Sequence, residues 1–416
     1  MRVLLVADGF EATRPEETGS WLEDLATRLA HRGHRVTAVL SRLPEDDSSS
    51  PEADAPGVAI WRPAAGGIEP ALMQALAQRP DVVHLASAGP WSQPVLAALA
   101  HSPLVLDAHG FWPMCAAGDL VQRPAMVPCP LAHPHEQCGS CAGLLHLRAM
   151  DERAPLGREA LAVIAHTVAA RERLEAGLKR PVDCVRPGVD PFVYSPSPGA
   201  PRSGAVAALL ARERVPRVLV LGDAGQHRGA LSLADLLVAL NARVPGVEMV
   251  VPDSDADDPA GPQILLTEAR EMGLAGQVHV FHGLTTADAP ALFAACDVAC
   301  LPGLLPESGG LRVMQALSAG VPVVAHDDGA IGELVTHGVE GLRVPSEPLG
   351  AFAHAVAALL RDSAGRAEYA ERGRLAAMER FEIDRAVYAH EEIYRKARRR
   401  DAGGQSQGGT PRRHAA

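Results

Sequence analysis

Short, continuous apolar runs alternate with stretches of helical periodicity along almost the whole chain. Runs at Val3–Ala7, Val36–Leu40, Val58–Trp61, Asp81–Leu85, Leu104–Asp107 and Leu161–Ala165 predict strands. After a break come Arg217–Leu221, Val247–Val251, Gln277–Phe281, Asp297–Leu301 and Val321–Ala325. None shows polar alternation, the pattern of strands covered by helices on both faces. Between the first two runs, Trp21–Arg32 puts Trp21, Leu22, Leu25, Ala26, Leu29 and Ala30 on one helical face. Ser20 and Glu23 form a candidate capping box at its start, and Gly33 is a candidate stop. Alternation of this kind predicts an α/β protein with parallel sheets.

With 416 residues, the chain is too long for one ordinary core and suits two domains of ~200 residues. The Ser/Pro/Gly-rich stretch 194–214 is the expected linker. It separates an N-terminal α/β domain, 1–193, from a second one, 215–385. Residues 401–416, Gly/Gln-rich after the basic residues 398–400, are expected to be disordered. The net charge of −11 argues against a nucleic-acid binder, whose mark is a basic surface. No apolar run approaches the ~20 residues of a membrane span, and the start lacks a secretory cleavage pattern. A cytoplasmic protein is expected. The basic run Arg395–Arg400 allows at most peripheral contact with anionic lipid.

Seven cysteines are present. Cys184, Cys296 and Cys300 lie in apolar, strand-like contexts and read as buried small hydrophobes. Cys115, Cys129, Cys138 and Cys141 crowd one segment, the last two as a Cys-x-x-Cys pair. Three readings stand open: a closed structural zinc or iron–sulfur site, reduced thiols packing a lid, or disulfides.

Leu301–Pro345 holds the most specific pattern. Glu307 and Ser308-Gly309-Gly310 follow a strand and open a helix beginning at Leu311, where backbone N–H groups bind anions well. Then come Gly320-Val321-Pro322-Val323-Val324 and Gly329-Ala330-Ile331-Gly332-Glu333-Leu334. This stretch resembles the donor half of family-4 retaining glycosyltransferases of the GT-B fold. The resemblance extends to Arg32-Gly33-His34-Arg35-Val36, Asp107-Ala108-His109-Gly110 and Arg186-Pro187-Gly188-Val189-Asp190, and covers roughly residues 1–395.

The resemblance implies two Rossmann-like, doubly wound domains facing a cleft. The N-terminal one would bind acceptor and carry a Cys-rich insertion at 109–147. The C-terminal one would bind a UDP- or GDP-sugar, and a helix over 386–400 would cross back. Glu307 would orient the donor sugar, and His109 would act near the anomeric centre. Gly19, Ser20, Arg228, Ser308, Gly309, Gly310, Leu311 and Gln315 would bind the donor. Asp107 would cap or hydrogen-bond the His109 loop. No cofactor would be needed for catalysis, and the acceptor would be a sugar, lipid or small metabolite.

Two positions depart from the pattern. Gln315 stands where the family has a Glu on the ribose hydroxyls. Asp223 stands where a phosphate-binding Arg is usual, with Arg312 a candidate replacement charge. These departures keep alive a binding or partner subunit without turnover; an epimerase or hydrolase on the same fold is a further alternative.

Overall fold

The computed structural model describes residues 1–7, 17–40, 57–61, 68–86, 91–116, 118, 120–122, 127–129, 136–199, 201, 203–221, 233–253, 261–282, 288–302, 310–327, 330–345 and 349–406. Two compact units emerge. The first comprises Met1–Phe10, Trp21–Arg186 and Asp384–Ala416, the second Glu11–Ser20 and Pro187–Ile383.

The first unit begins with β1 (Arg2–Ala7), α1 (Glu17–His31), β2 (Arg35–Leu40), β3 (Val58–Trp61), α2 (Ile68–Ala77) and β4 (Val82–Leu85). It continues with α3 (Gln93–Ala100), β5 (Leu104–Asp107), the small hairpin pair β6 (Val121–Gln122) and β7 (Val127–Pro128), α4 (Glu136–Ala142) and α5 (Leu144–Glu159). β8 (Ala162–Ala165), α6 (Val168–Leu178) and β9 (Asp183–Cys184) complete its central part. Seven of these strands form one parallel sheet in the order β3-β2-β1-β4-β5-β8-β9. β4, β5 and β8 are buried along their whole length, which is why they read as uninterrupted apolar runs.

The second unit runs α7 (Gly204–Leu210), β10 (Arg217–Val220), α8 (Leu233–Asn241), β11 (Glu248–Asp253), α9 (Gly261–Glu271), β12 (Val278–His282) and α10 (Ala289–Ala294). β13 (Val298–Leu301), α11 (Leu311–Ser318), β14 (Val323–His326), α12 (Ile331–Leu334), β15 (Gly341–Val344), α13 (Leu349–Arg361) and α14 (Ser363–Arg380) follow. Its parallel sheet is ordered β12-β11-β10-β13-β14-β15. The strand order reverses between β10 and β13, so the segments after these two strands flank the topological switch point.

Several local expectations change. α1 starts at Glu17, so Ser20 lies inside the helix and cannot cap it. Its end is as expected: Gly33 adopts φ +85°, Gly33 N donates to Ala30 O and His34 N to Leu29 O, a Schellman closure. Within the expected linker, 204–210 is helical, with Val206 and Leu209 buried in the core of the second unit. Cys184 is exposed, because β9 is a two-residue edge strand. Cys296 and Cys300 are buried, but Cys296 follows α10 and its thiol donates to Leu292 O. Burial pushes the Cys300 thiol up to about 12, so it is inert.

The last helix, α15 (Ile383–Ser406), returns to the first unit and continues past the expected start of the tail. It buries Val387, His390, Tyr394 and Ala397 on one stripe, the spacing of a helix face packed on a core. Beside that stripe, the buried Glu391 accepts from Arg32 Nε and Nη2 (3.0 and 2.9 Å) and lies 2.7 Å from His34 Nε2. The Arg32 hydrogen bonds, opposed by burial and helped by His34, hold Glu391 down at about 2. That depression corresponds to at most about 3 kcal/mol, and solvent around the half-exposed Arg32 reduces it. It is present in full above the unfolded carboxyl value and is lost as pH falls toward 2. Glu391→Gln is therefore expected to lower unfolding stability by about 2 kcal/mol at pH 7. In urea melts, the gap between wild type and variant should shrink markedly by pH 3.

Candidate active site

In the first unit the carboxyl ends of β4, β5 and β8 carry an ionisable cluster. Asp107, the last residue of β5, has no solvent exposure. His84 Nε2 and His109 Nε2 each lie 3.2 Å from its Oδ2, and His166 Nε2 lies 3.1 Å from Oδ1. His390 Nε2, from α15, stands 3.8 Å from Oδ2. Tyr394, one turn further, places its hydroxyl 2.9 Å from His84 Nδ1. Trp21 from α1 packs on the His390 ring at 5.5 Å.

Burial opposes charge on Asp107, but His166 and His109 outweigh it and hold the carboxyl well below its usual range. Burial first, then the neighbouring His166, lowers His109 to about 4. At neutral pH the pair is thus a carboxylate and a neutral imidazole. The His109 loop is rigidly made: Ala108 N donates to Ile164 O, and Phe111 N to Gly118 O. Gly110 sits at φ +128° with Gly118 O 3.3 Å from where a Cβ would stand, so a side chain there is strained. Asp107 does support this loop, as expected, yet it also gathers residues from β4, β8 and α15.

In the second unit the start of α11 is the expected donor element. Gly310 is its N-cap at φ +70°, and a Cβ there would meet Leu334 Cδ1 at 2.1 Å. Leu311, Arg312 and Gln315 are all buried, with Arg312 in the helix's first turn. Glu307, Ser308 and Gly309, in the segment after β13, lie outside the described residues, as do Asp223 and Arg228 after β10. Gly19 and Ser20 belong to the first turn of α1 and not to a glycine-rich turn.

Cys115, Cys129 and Cys141 join burial in raising the Cys138 thiol, so the four thiols sense one another's charge. Among the described residues, both sets of three or more ligating atoms within 4.8 Å of each other are centred on Asp107, and neither includes a cysteine. As placed, the thiols do not close a four-sulfur site. No helix among the described residues is long and apolar enough to cross a membrane.

Residues 206–376 match the family model described as glycosyl transferases group 1, and residues 18–191 match glycosyltransferase family 4. Both halves of the chain thus match glycosyltransferase family models. Among curated proteins, the chain is 32% identical over 185 residues to the D-inositol 3-phosphate glycosyltransferase of Mycobacterium marinum, covering 44% of the chain and 38% of that protein. The Mycobacterium tuberculosis proteins of the same name match over 186 residues, so the chain spans about two fifths of the length of these relatives. Its fold is shared with Anabaena HepE, solved with UDP and glucose (20% identity, TM-score 0.67, covering 94% of this chain and 98% of that one). It is shared also with sucrose-phosphate synthase of Thermosynechococcus elongatus (18% identity, TM-score 0.69, covering 95% and 98%).

His84, His166, His390 and Tyr394 are the residues of this buried cluster that sequence reading missed. His390 and Tyr394, four residues apart in a buried stripe, carried the one available signal: polar groups at core spacing. At α11 the backbone makes a sharp demand. Gly310→Ala should destabilise the protein by about 1–3 kcal/mol, measured by urea unfolding, through strain at positive φ and the clash with Leu334.

Proposed function

We propose that the protein moves a sugar from a nucleotide-diphospho-sugar, UDP- or GDP-linked, to a hydroxyl of a sugar, lipid or small-metabolite acceptor, with retention at the anomeric carbon. The observation that carries this reading is the topology of the second unit. β10 and β13 are parallel neighbours at the sheet's switch point, and the segments that follow them hold Arg228 and Glu307–Gly309. Ligands of doubly wound sheets bind at that edge. The start of α11 adds backbone N–H groups and a positive dipole end suited to a diphosphate.

In this reading Gly309, Gly310, Arg228 and Arg312 stabilise the leaving diphosphate, and Glu307 orients the sugar. Leu311 and Gln315 line the nucleoside side, the latter as a neutral partner of the ribose hydroxyls. In the first unit, His109 is the candidate for contact with a sugar hydroxyl, and Gly19 and Ser20 are further candidates for the donor. The leaving phosphate accepts the acceptor's proton as the hydroxyl attacks from the same face, so no side-chain nucleophile is required. That UDP and UDP-glucose occur in solved complexes of HepE favours a UDP-sugar as the first donor to try.

Glu307→Ala should reduce sugar transfer or donor hydrolysis about 100-fold while leaving UDP binding, read by thermal shift, nearly intact. Equal turnover in wild type and variant would sink the assignment. The competing reading, a donor-binding subunit without turnover, rests on Asp223 and Gln315: it predicts a thermal shift with nucleotide sugar and no product from the wild type. A structural zinc or iron–sulfur centre at Cys115, Cys129, Cys138 and Cys141 is tested separately. Elemental analysis of protein prepared without chelator should then find about one zinc or one cluster per chain, lost in Cys138→Ser, and none if the thiols are simply packed.

A further inference from the structure

The buried cluster around Asp107 can be solved as a problem in proton placement. His109 Nε2 donates to Asp107 Oδ2 at 3.2 Å, while His84 Nε2 and His166 Nε2 lie 3.2 and 3.1 Å from the carboxylate, at ion-pair distance without an aligned hydrogen bond. A lone pair that close to the charge would be repelled, so each carries a hydrogen. At His84, the buried Tyr394 phenol stays protonated, kept so by burial and the Asp107 charge. It therefore donates to Nδ1, and His84 is neutral with its hydrogen on Nε2. His109 needs a hydrogen on Nε2 alone and is neutral too.

His166 differs. Its Nδ1 lies 2.9 Å from Val185 O, and a carbonyl oxygen can only accept, so Nδ1 carries a hydrogen. Its Nε2 faces Asp107 Oδ1 at 3.1 Å and carries another. His166 is an imidazolium. His390 also donates from Nδ1, to Ala386 O at 2.8 Å, but its Nε2 stands 3.8 Å from Oδ2, beyond hydrogen-bond reach, and stays bare. One negative and one positive charge remain, so the solvent-free cluster is neutral overall, as burial requires.

We propose that Asp107 and the His166 cation are positioning residues that lock His109 as its Nε2–H tautomer and leave Nδ1 free to accept a hydrogen bond from a sugar hydroxyl. The His109 ring packs on His166 with centroids 4.2 Å apart, so a fixed positive charge also keeps His109 from taking up a second proton. The role given to Nδ1 rests on the transferase reading; the proton arrangement does not. The same arrangement disfavours a metal ion here, which would need bare nitrogens where Asp107 demands hydrogens.

Ring-nitrogen NMR of the full chain with ¹⁵N-labelled histidine, recorded from pH 6 to 9, tests this without a turnover assay. Signals are assigned by His84→Gln, His109→Gln, His166→Gln and His390→Gln variants. The wild type should show His166 with both nitrogens protonated through pH 8, and His84 and His109 protonated at Nε2 alone. In His166→Gln, balancing the Asp107 charge falls to His109, whose titration should rise from about 4 into the neutral range. A residue acting only by packing would leave His109 unmoved. A neutral His166 in the wild type, the cation found on His390, or loss of all four ring signals on adding one equivalent of Co²⁺ would each overturn the proposal. With a turning-over donor, His166→Gln should lower kcat more than it raises KM. A wild type without turnover but with the expected ring states would count against the transferase reading alone.

Discussion

A carboxylate with no access to water must be surrounded by hydrogen-bond donors and a counter-charge, or it does not stay ionised. Asp107 meets this requirement through a hydrogen bond from His109 of its own loop and the close approach of His166 from the end of β8 and His84 from β4, with His390 from α15 packed beside them at 3.8 Å. Four parts of the chain, three within residues 84–166 and the fourth at His390, are thereby held to one point. The chain leaves the first unit at Arg186 and re-enters at Asp384. The returning helix closes the first unit through the His390–Tyr394 stripe, while Arg32 and Glu391 fasten its flank. His109 is oriented by the same carboxylate that secures this closure.

The second unit meets a different constraint, set by backbone. α11 begins where the chain must turn from the end of β13 into a helix whose every residue is buried. Only a residue without a Cβ fits at Gly310 against Leu334. A second glycine, Gly188, fits against Ile383, where a Cβ would lie 2.3 Å from its Cα. There Val189 N donates to Phe381 O and Ile383 N to Val189 O. Asp190 then turns the chain by accepting from Phe192 N at 2.8 Å. The Gly-Val-Asp segment noted in the sequence is thus a structural joint of the second unit.

Much of the fold was legible because the central strands of both sheets are parallel and covered on both faces, which leaves uninterrupted apolar runs such as Leu104–Asp107 and Val82–Leu85. β9 and β15 escaped notice for the same physical reason: Asp183–Cys184 is a two-residue exposed edge, and Gly341–Val344 is half-exposed at its centre. The start of α1 was misplaced because a capping-box pattern recurs by chance inside a helix. For the site, the glycine-rich helix start at α11 could be read locally. The Asp107 network could not, since no window of sequence contains His84, Asp107, His166 and His390 together, and a histidine among apolar residues gives no sign of its partner.

The central claim is that a nucleotide sugar binds at the edge of the second unit's sheet, between the segments that follow β10 and β13. Hydrogen–deuterium exchange with and without saturating UDP, followed by mass spectrometry of peptides, measures this directly. The account predicts slowed exchange in peptides covering residues 222–232 and 303–318, with peptides over β11 and β12 unchanged. Saturating UDP or GDP that leaves both segments at their free rates, or protection confined to the first unit, would contradict it.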